Sequence, residues 1–375
     1  MIKGKPGLSD IVAFDTEIAE PDREGGALRY RGTDVAALIG AVSYADVWGL
    51  LVDGDFTRPL LPAEPLTLGV HTGDVRADVQ SAIVGIAPLL GLRQLIDIDV
   101  DRVRSDLATT TAVMLSFVAQ AARGQHVPRV PQAEIERSQN IVERFMVEWR
   151  GDPDPRHVRA VDTYWISAAE HGMNASTFTS RVVSSTGADV PAAISAAVGA
   201  MSGPLHGGAP SRALHMVKEV ERSGDARGYV KGLLDRGERI MGFGHPVYRA
   251  EDPRARILRQ AAQELGAPRY EVAKALEDEI LSQLREHKPD RVLATNVEYW
   301  AAVILDFAEI PDTMFTPMFT CARMAGWSAH VVEQKRLNKL IRPSAEYVGE
   351  VGIAPESVAG WDEMIARNRD LRSRA

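Results

Sequence analysis

Residues 241–256, Met-Gly-Phe-Gly-His-Pro-Val-Tyr-Arg-Ala-Glu-Asp-Pro-Arg-Ala-Arg, gather two glycines, a histidine and three arginines without helical or strand periodicity. Gly242 and Gly244 let the backbone turn tightly or approach a ligand. Pro246 discourages a helix directly after His245, so the imidazole is presented from a loop. Asp252-Pro253 reads as an N-cap followed by the first helical residue, which places Arg254 and Arg256 in the first turn. The helix dipole is positive there, and arginines fit such a turn better when an anion binds nearby. The stretch is either a solvated turn with a chance histidine or a site for a carboxylated or phosphorylated small molecule, with His245 as acid or hydrogen-bond donor.

Other side chains can complete such a site. His206, in Ser202-Gly-Pro-Leu-His-Gly-Gly-Ala-Pro210, stands just before a helix expected near Pro210, where the dipole disfavours an imidazolium. It is either a satisfied buried histidine or a neutral hydrogen-bond donor. His171 falls at a helix end, where a cation is welcome for dipole reasons alone. Thr295-Asn-Val-Glu298 matches a capping box, so Glu298 either serves a backbone N–H or faces a cavity as a carboxylate base. Arg323 has Phe319 and Trp327 at i−4 and i+4, so its guanidinium lies on an apolar stripe and requires an anionic partner, either an internal carboxylate or a substrate. Arg342 is set in an apolar context before Pro343.

These groups must be positioned by a chain of 375 residues, long enough for a large core and two domains. The net charge of -8 argues against a nucleic-acid binder, so arginine clusters serve small anions or internal pairs. Cys321 is the single cysteine, which excludes an intramolecular disulfide and makes a thiolate metal site untenable. The N-terminus lacks an apolar signal region, and the small-apolar run around Ala192–Met201 is too short to span a bilayer; a cytoplasmic protein is expected. Short β-compatible segments at Ile11–Ala19 and Ala27–Arg31 suggest a hairpin. From there helices dominate: Val35–Ile39 capped by Thr33/Asp34, Val47–Val52 behind a capping box at Ser43, Ala77–Leu90, Ser105–Arg123 with a left-handed cap at Gly124, Gln132–Trp149, Arg156–Glu170, and further helices to Val332. The predicted fold is all-α with a minor N-terminal hairpin.

Taken together, the chain resembles the citrate synthase family, including its 2-methylcitrate synthase branch. The resemblance rests on Leu28-Arg-Tyr-Arg-Gly32, Glu170-His-Gly-Met-Asn-Ala-Ser-Thr-Phe178, Gly203-Pro-Leu-His-Gly-Gly208, Gly242-Phe-Gly-His-Pro-Val-Tyr-Arg249 with Asp252-Pro-Arg254, Asn296-Val-Glu298, Met314-Phe-Thr-Pro-Met-Phe319 with Arg323-Met-Ala-Gly-Trp327, and Ile341-Arg-Pro343, all in family order across nearly the whole chain. It implies catalytic His206, His245 and Glu298; oxaloacetate ligands His171, Arg254, Arg323 and Arg342, the last reaching in from the second subunit of a homodimer; and coenzyme A contacts at Arg249, at the Gly242-Phe243-Gly244 turn and at Arg291. It further implies a large domain of residues 1–207 and 312–375 and a small, closing domain of residues 208–311.

The implied reaction joins acetyl-CoA and oxaloacetate to give citrate, with no metal or redox cofactor. Forming a carbon nucleophile from a thioester needs a carboxylate for the methyl proton and a donor for the enolate oxygen, roles for Glu298 and neutral His206. His245 polarises the oxaloacetate carbonyl while arginines hold the dianion. The alternatives are propionyl-CoA as the acyl donor, giving 2-methylcitrate, and a weakly active homologue that binds acyl-CoA or a dicarboxylate. The sequence departs from the family pattern at Glu298, where the family has aspartate, at Ala168 and Glu170, where it often has His and Asp, and between Thr67 and Leu95, where a His-Pro-Met signature is missing.

Overall fold

In the computed structural model the described residues are 7–8, 11–22, 24, 26–207, 210–244, 247–248, 250–287 and 293–373. They form sixteen α-helices and one small antiparallel sheet, as the helical patterning requires. The centre of the fold is the helix Phe315–Leu337, which has no polar face: Phe315, Met318, Cys321, Ala322, Met324, Trp327 and Val331 are all buried around its circumference. A helix apolar on all sides must be enclosed. The helices Tyr44–Asp53, Val100–Arg123, Pro155–Ala168, Ala175–Ser185 and Val190–Met201 enclose it. This burial also traps Thr320, Arg323, Ser328, His330 and Gln334, so each of these polar groups needs a partner in the interior. Against this core the helix Val297–Phe307 packs on Pro253–Glu264, Pro210–Ser223 and Pro155–Ala168.

Local capping chemistry places several boundaries as expected. Asp34 caps Val35–Leu38, and Ser43 with Asp46 makes the reciprocal capping box of Tyr44–Asp53. Other expectations are corrected. The first strand is Ala19–Asp22 rather than Ile11–Ala19, pairing antiparallel with Ala27–Tyr30, and Thr33–Asp34 adds a third strand. The expected helix over 132–149 is two, Gln132–Ile135 and Ile141–Arg150, because the Asn140 side chain accepts from the N–H groups of both Val142 and Glu143 and starts a new helix. Gly124 has φ 79 but an extended ψ of 151, so it ends its helix without the left-handed cap. The helix holding the run at 192–201 is too short to span a bilayer, as expected, whereas among the described residues Val75–Asp97 is long and apolar enough by composition to do so. Its helix packs on Val100–Arg123 and Val190–Met201 and buries Asp78, which accepts from Thr72.

The chain through Leu340 forms one compact unit, and residues from Ile341 form a second. Within the second, a turn at Pro355–Ser357 leads to the helix Trp361–Ser373, and Tyr347, Val348, Val351 and Val358 are exposed.

Candidate active site

The glycine turn of the 241–256 stretch is stitched to the segment entering the Val297–Phe307 helix. Gly244 N–H donates to the Ala294 carbonyl at 2.7 Å, Asn296 N–H to that of Gly242 at 2.9 Å, and Asn296 Nδ2 to that of Gly244 at 2.9 Å. Gly242 has φ +85, and a Cβ there would lie 2.8 Å from Tyr299 Cβ, so conformation and space both demand glycine. Asp252 completes the junction. As N-cap of Pro253–Glu264 it accepts from Arg254 N–H at 3.0 Å, and it also accepts from Val297 N–H at 3.1 Å. One buried carboxylate thus satisfies two helix N-termini.

That helix start releases Glu298 from the capping box. The N-cap is Asn296, whose Oδ1 accepts from Glu298 N–H at 3.0 Å, while Thr295 Oγ1 is buried without a hydrogen-bond partner among the described residues. Burial raises the Glu298 carboxyl above the usual carboxylate range, against the pull of Arg254, Arg239 and Asn296.

Two of the three buried arginines among the described residues, Arg254 and Arg323, differ sharply. Arg254 is held by its own N-cap, Nε and Nη2 lying 3.0 and 2.7 Å from the two Asp252 oxygens. Burial opposes its charge, but Asp252 outweighs that and raises its pKa. Arg323 is 1% exposed, donates from Nε to the Ala168 carbonyl at 2.9 Å and lies 4.8 Å over the Phe319 ring. No carboxylate among the described residues comes within 4.0 Å of it. Burial accordingly lowers its pKa despite the attraction of Glu170, with Arg254 as a like charge nearby.

His206 places Nε2 2.9 Å from Ser176 Oγ, and the same hydroxyl lies 2.9 Å from Asn174 Oδ1 and accepts from Trp327 Nε1 at 3.2 Å. Its pKa falls to about 4, so the imidazole is neutral near pH 7. The cause is burial and then the Arg323 charge, rather than the helix dipole anticipated from sequence. His171 Nε2 is 2.9 Å from the Tyr248 hydroxyl. Burial raises Tyr248 far above the usual phenol, which keeps it neutral, while Arg254 pulls the other way.

The structure therefore gathers His171, His206, Arg254, Arg323 and Glu298. The charge of Arg323 acts on His206 and Arg254, and that of Arg254 on Glu298 and Tyr248. His245, Arg249 and Arg291 lie outside the described residues, and Arg342 is exposed in the second unit. Sequence reasoning missed Ser176 and Tyr248. Both sit inside motifs already singled out, but nothing in their spacing says which imidazole each would meet. Among the described residues no group of three or more His, Cys, Asp or Glu is placed to hold a metal ion.

A neutral imidazole, a buried carboxylate and a buried guanidinium with no carboxylate within 4.0 Å among the described residues, set between helices of an all-α fold, suit an acyl-transferring enzyme that stabilises developing negative charge. The family model described as "Citrate synthase, C-terminal domain" matches residues 7–344. The chain belongs to the citrate synthase family. It is 62% identical over 361 residues to "Putative citrate synthase 2" of Mycobacterium tuberculosis, covering 96% of this chain and 97% of that one. It is 40% identical over 370 residues to the 2-methylcitrate synthase of Shewanella oneidensis, covering 94% and 96%. Among solved structures, the citrate synthase of Pyrobaculum aerophilum matches with a TM-score of 0.77 at 28% identity, covering 93% of each chain. That of Thermoplasma acidophilum, a ternary complex with carboxymethyl coenzyme A and oxaloacetate, matches with 0.79 at 25% identity, covering 93% and 97%.

Proposed function

We propose that this protein condenses acetyl-CoA with oxaloacetate and water to give citrate and coenzyme A. The observation that carries the reading is Arg323, a buried guanidinium with no carboxylate within 4.0 Å among the described residues. An unpaired buried charge is costly, and a dianionic substrate supplies the missing partner. The Thermoplasma complex, which holds both a coenzyme A thioether and oxaloacetate, supports the choice of substrates.

In this mechanism Glu298 takes a proton from the thioester methyl group. Its pKa, raised by burial, makes it a better base than an exposed carboxylate. The enolate oxygen accepts a hydrogen bond from His206. For that, the Ser176 hydroxyl turns its proton from Asn174 Oδ1, to which it donates at 2.9 Å, into His206 Nε2, so that the imidazole proton sits on Nδ1. The enolate carbon attacks the oxaloacetate carbonyl, His245 protonates the new alkoxide, and water then cleaves the citryl thioester to release coenzyme A. Arg254, Arg323 and His171 hold the dianion, with Arg342 contributed by the partner of a cytoplasmic homodimer; the exposed apolar residues beside it in the second unit support such a partner. Arg249, Arg291 and the Gly242–Gly244 turn contact coenzyme A as residues 208–311 close.

The 40% identical 2-methylcitrate synthase supports a second reading with propionyl-CoA. Coenzyme A thiol release, measured with both acyl thioesters and with Glu298→Gln as control, decides. Absence of oxaloacetate-dependent thiol release with either thioester overturns the proposal, and a higher kcat/KM for propionyl-CoA selects the second reading.

A further inference from the structure

Glu170, which no step above uses, immediately precedes His171 and is fully buried. Its backbone is fixed, because its N–H lies 3.1 Å and its carbonyl oxygen 3.2 Å from the Tyr30 hydroxyl. The carboxylate enters a gap that the central helix leaves at Gly326. A Cβ at that position would lie 2.1 Å from Glu170 Oε2, and Gly326 N–H donates to the Ala169 carbonyl at 3.1 Å.

The other charges around Glu170 are already committed. Arg181 Nη1 lies 3.0 Å from His330 Nδ1; arginine only donates, so Nδ1 is an acceptor and the His330 proton sits on Nε2, directed at Glu170 Oε1 at 3.3 Å. Arg181 pairs instead with Glu333, which also accepts from Thr16 Oγ1 at 3.1 Å and Glu17 N–H at 3.2 Å. Glu170 Oε2 has no hydrogen-bond partner among the described residues. What remains is one buried carboxylate oxygen, Glu170 Oε2, without a hydrogen-bond partner and one buried guanidinium, Arg323, with no carboxylate within 4.0 Å, both among the described residues. They stand more than 4.0 Å apart, and Glu170 is the strongest attractive influence on Arg323.

We propose that Glu170 is the resident counter-charge of Arg323: a positioning residue that holds the guanidinium at the site before substrate arrives, and that weakens its grip on the oxaloacetate dianion by competing for the same cation. The inference rests on reading Arg323 as a ligand of that dianion. At an effective dielectric of about 20, a unit charge roughly 10 Å from an anion alters its affinity on the order of tenfold.

The test is Glu170→Gln, which keeps the shape and removes the charge. The KM for oxaloacetate falls about three- to tenfold while kcat changes less than about threefold, and saturating oxaloacetate raises Tm more than in the native protein. A residue that merely supports the fold would lose stability with KM unchanged or raised, and that result in folded protein overturns the proposal. A second arm does not depend on substrate or on the single variant folding well. If the two charges are partners, Glu170→Gln with Arg323→Met is more stable than the sum of the single losses predicts; strict additivity in Tm refutes the pairing. Should the native protein bind no oxaloacetate, the substrate reading fails, while this cycle still decides whether the charges are coupled.

Discussion

Replacing Ser176 with alanine removes one hydroxyl that stands 2.9 Å from His206 Nε2 and 3.2 Å from Trp327 Nε1. Two consequences follow with different sizes. For stability, the buried indole N–H and the imidazole nitrogen lose a partner, which costs about 1–3 kcal/mol in all, since unpaired buried groups carry their desolvation penalty. For catalysis, the imidazole is no longer held with its proton on Nδ1. An oxyanion donor contributes about 2.7–4 kcal/mol to such a transition state, and because the imidazole still reaches the productive arrangement part of the time, part of that is lost. A 10- to 100-fold fall in kcat is expected, about 1.4–2.7 kcal/mol. The KM for oxaloacetate changes less than about threefold, because Ser176 has no hydrogen bond to Arg254 or Arg323. Thiol release at saturating acetyl-CoA with oxaloacetate varied gives both constants. A kcat within twofold of native in a folded variant, or a loss confined to KM, refutes the idea that Ser176 sets the His206 proton.

Glu298→Gln leaves the dianion site standing but removes the base, so turnover drops about 10²–10⁴-fold while oxaloacetate still raises Tm. In the native enzyme the base works only when ionised, and burial has raised its pKa above the ordinary 4.5. kcat/KM therefore falls with decreasing pH on a limb centred above 4.5, and His206, neutral down to about 4, adds no limb in that range; a limb at or below 4.5 would contradict the assignment. Away from the site, Asp162 is raised from 3.8 to about 6 by burial while accepting from Tyr44 N–H at 2.9 Å. A raised carboxyl means the native state binds more protons than the unfolded one between those values, so stability falls as pH rises through them and the penalty is complete above about 6. Asp162→Asn keeps the acceptor and is expected to gain about 1–3 kcal/mol in urea unfolding at pH 8, with the gain fading near pH 4; no gain at pH 8 would show that the carboxylate carries no such penalty.

Much of this protein is legible from its residues alone, and the legible part is short-range. Asp34, the Ser43/Asp46 box and the Asp252-Pro253 start are read correctly because a cap and the N–H it satisfies lie within three residues of each other. The same rule explains a miss, since Asn140 caps more strongly than the apolar spacing across 132–149 can bridge. The ordered motifs, with their histidines, arginines and Glu298, carry the family resemblance. What the sequence leaves open is which partner each buried polar group finds. Arg254, in the first turn of a helix, and Arg323, on an apolar stripe, both call for an anion in the sequence, yet one is paired by a carboxylate two residues away and the other by none within 4.0 Å among the described residues. Ser176 meets an imidazole 30 positions on, Tyr248 one 77 positions back, and Glu170 faces a helix about 155 positions further along. Those encounters are decided by how the helices pack, because a hydrogen bond or a charge acts over a few ångströms of space, whatever the distance along the chain.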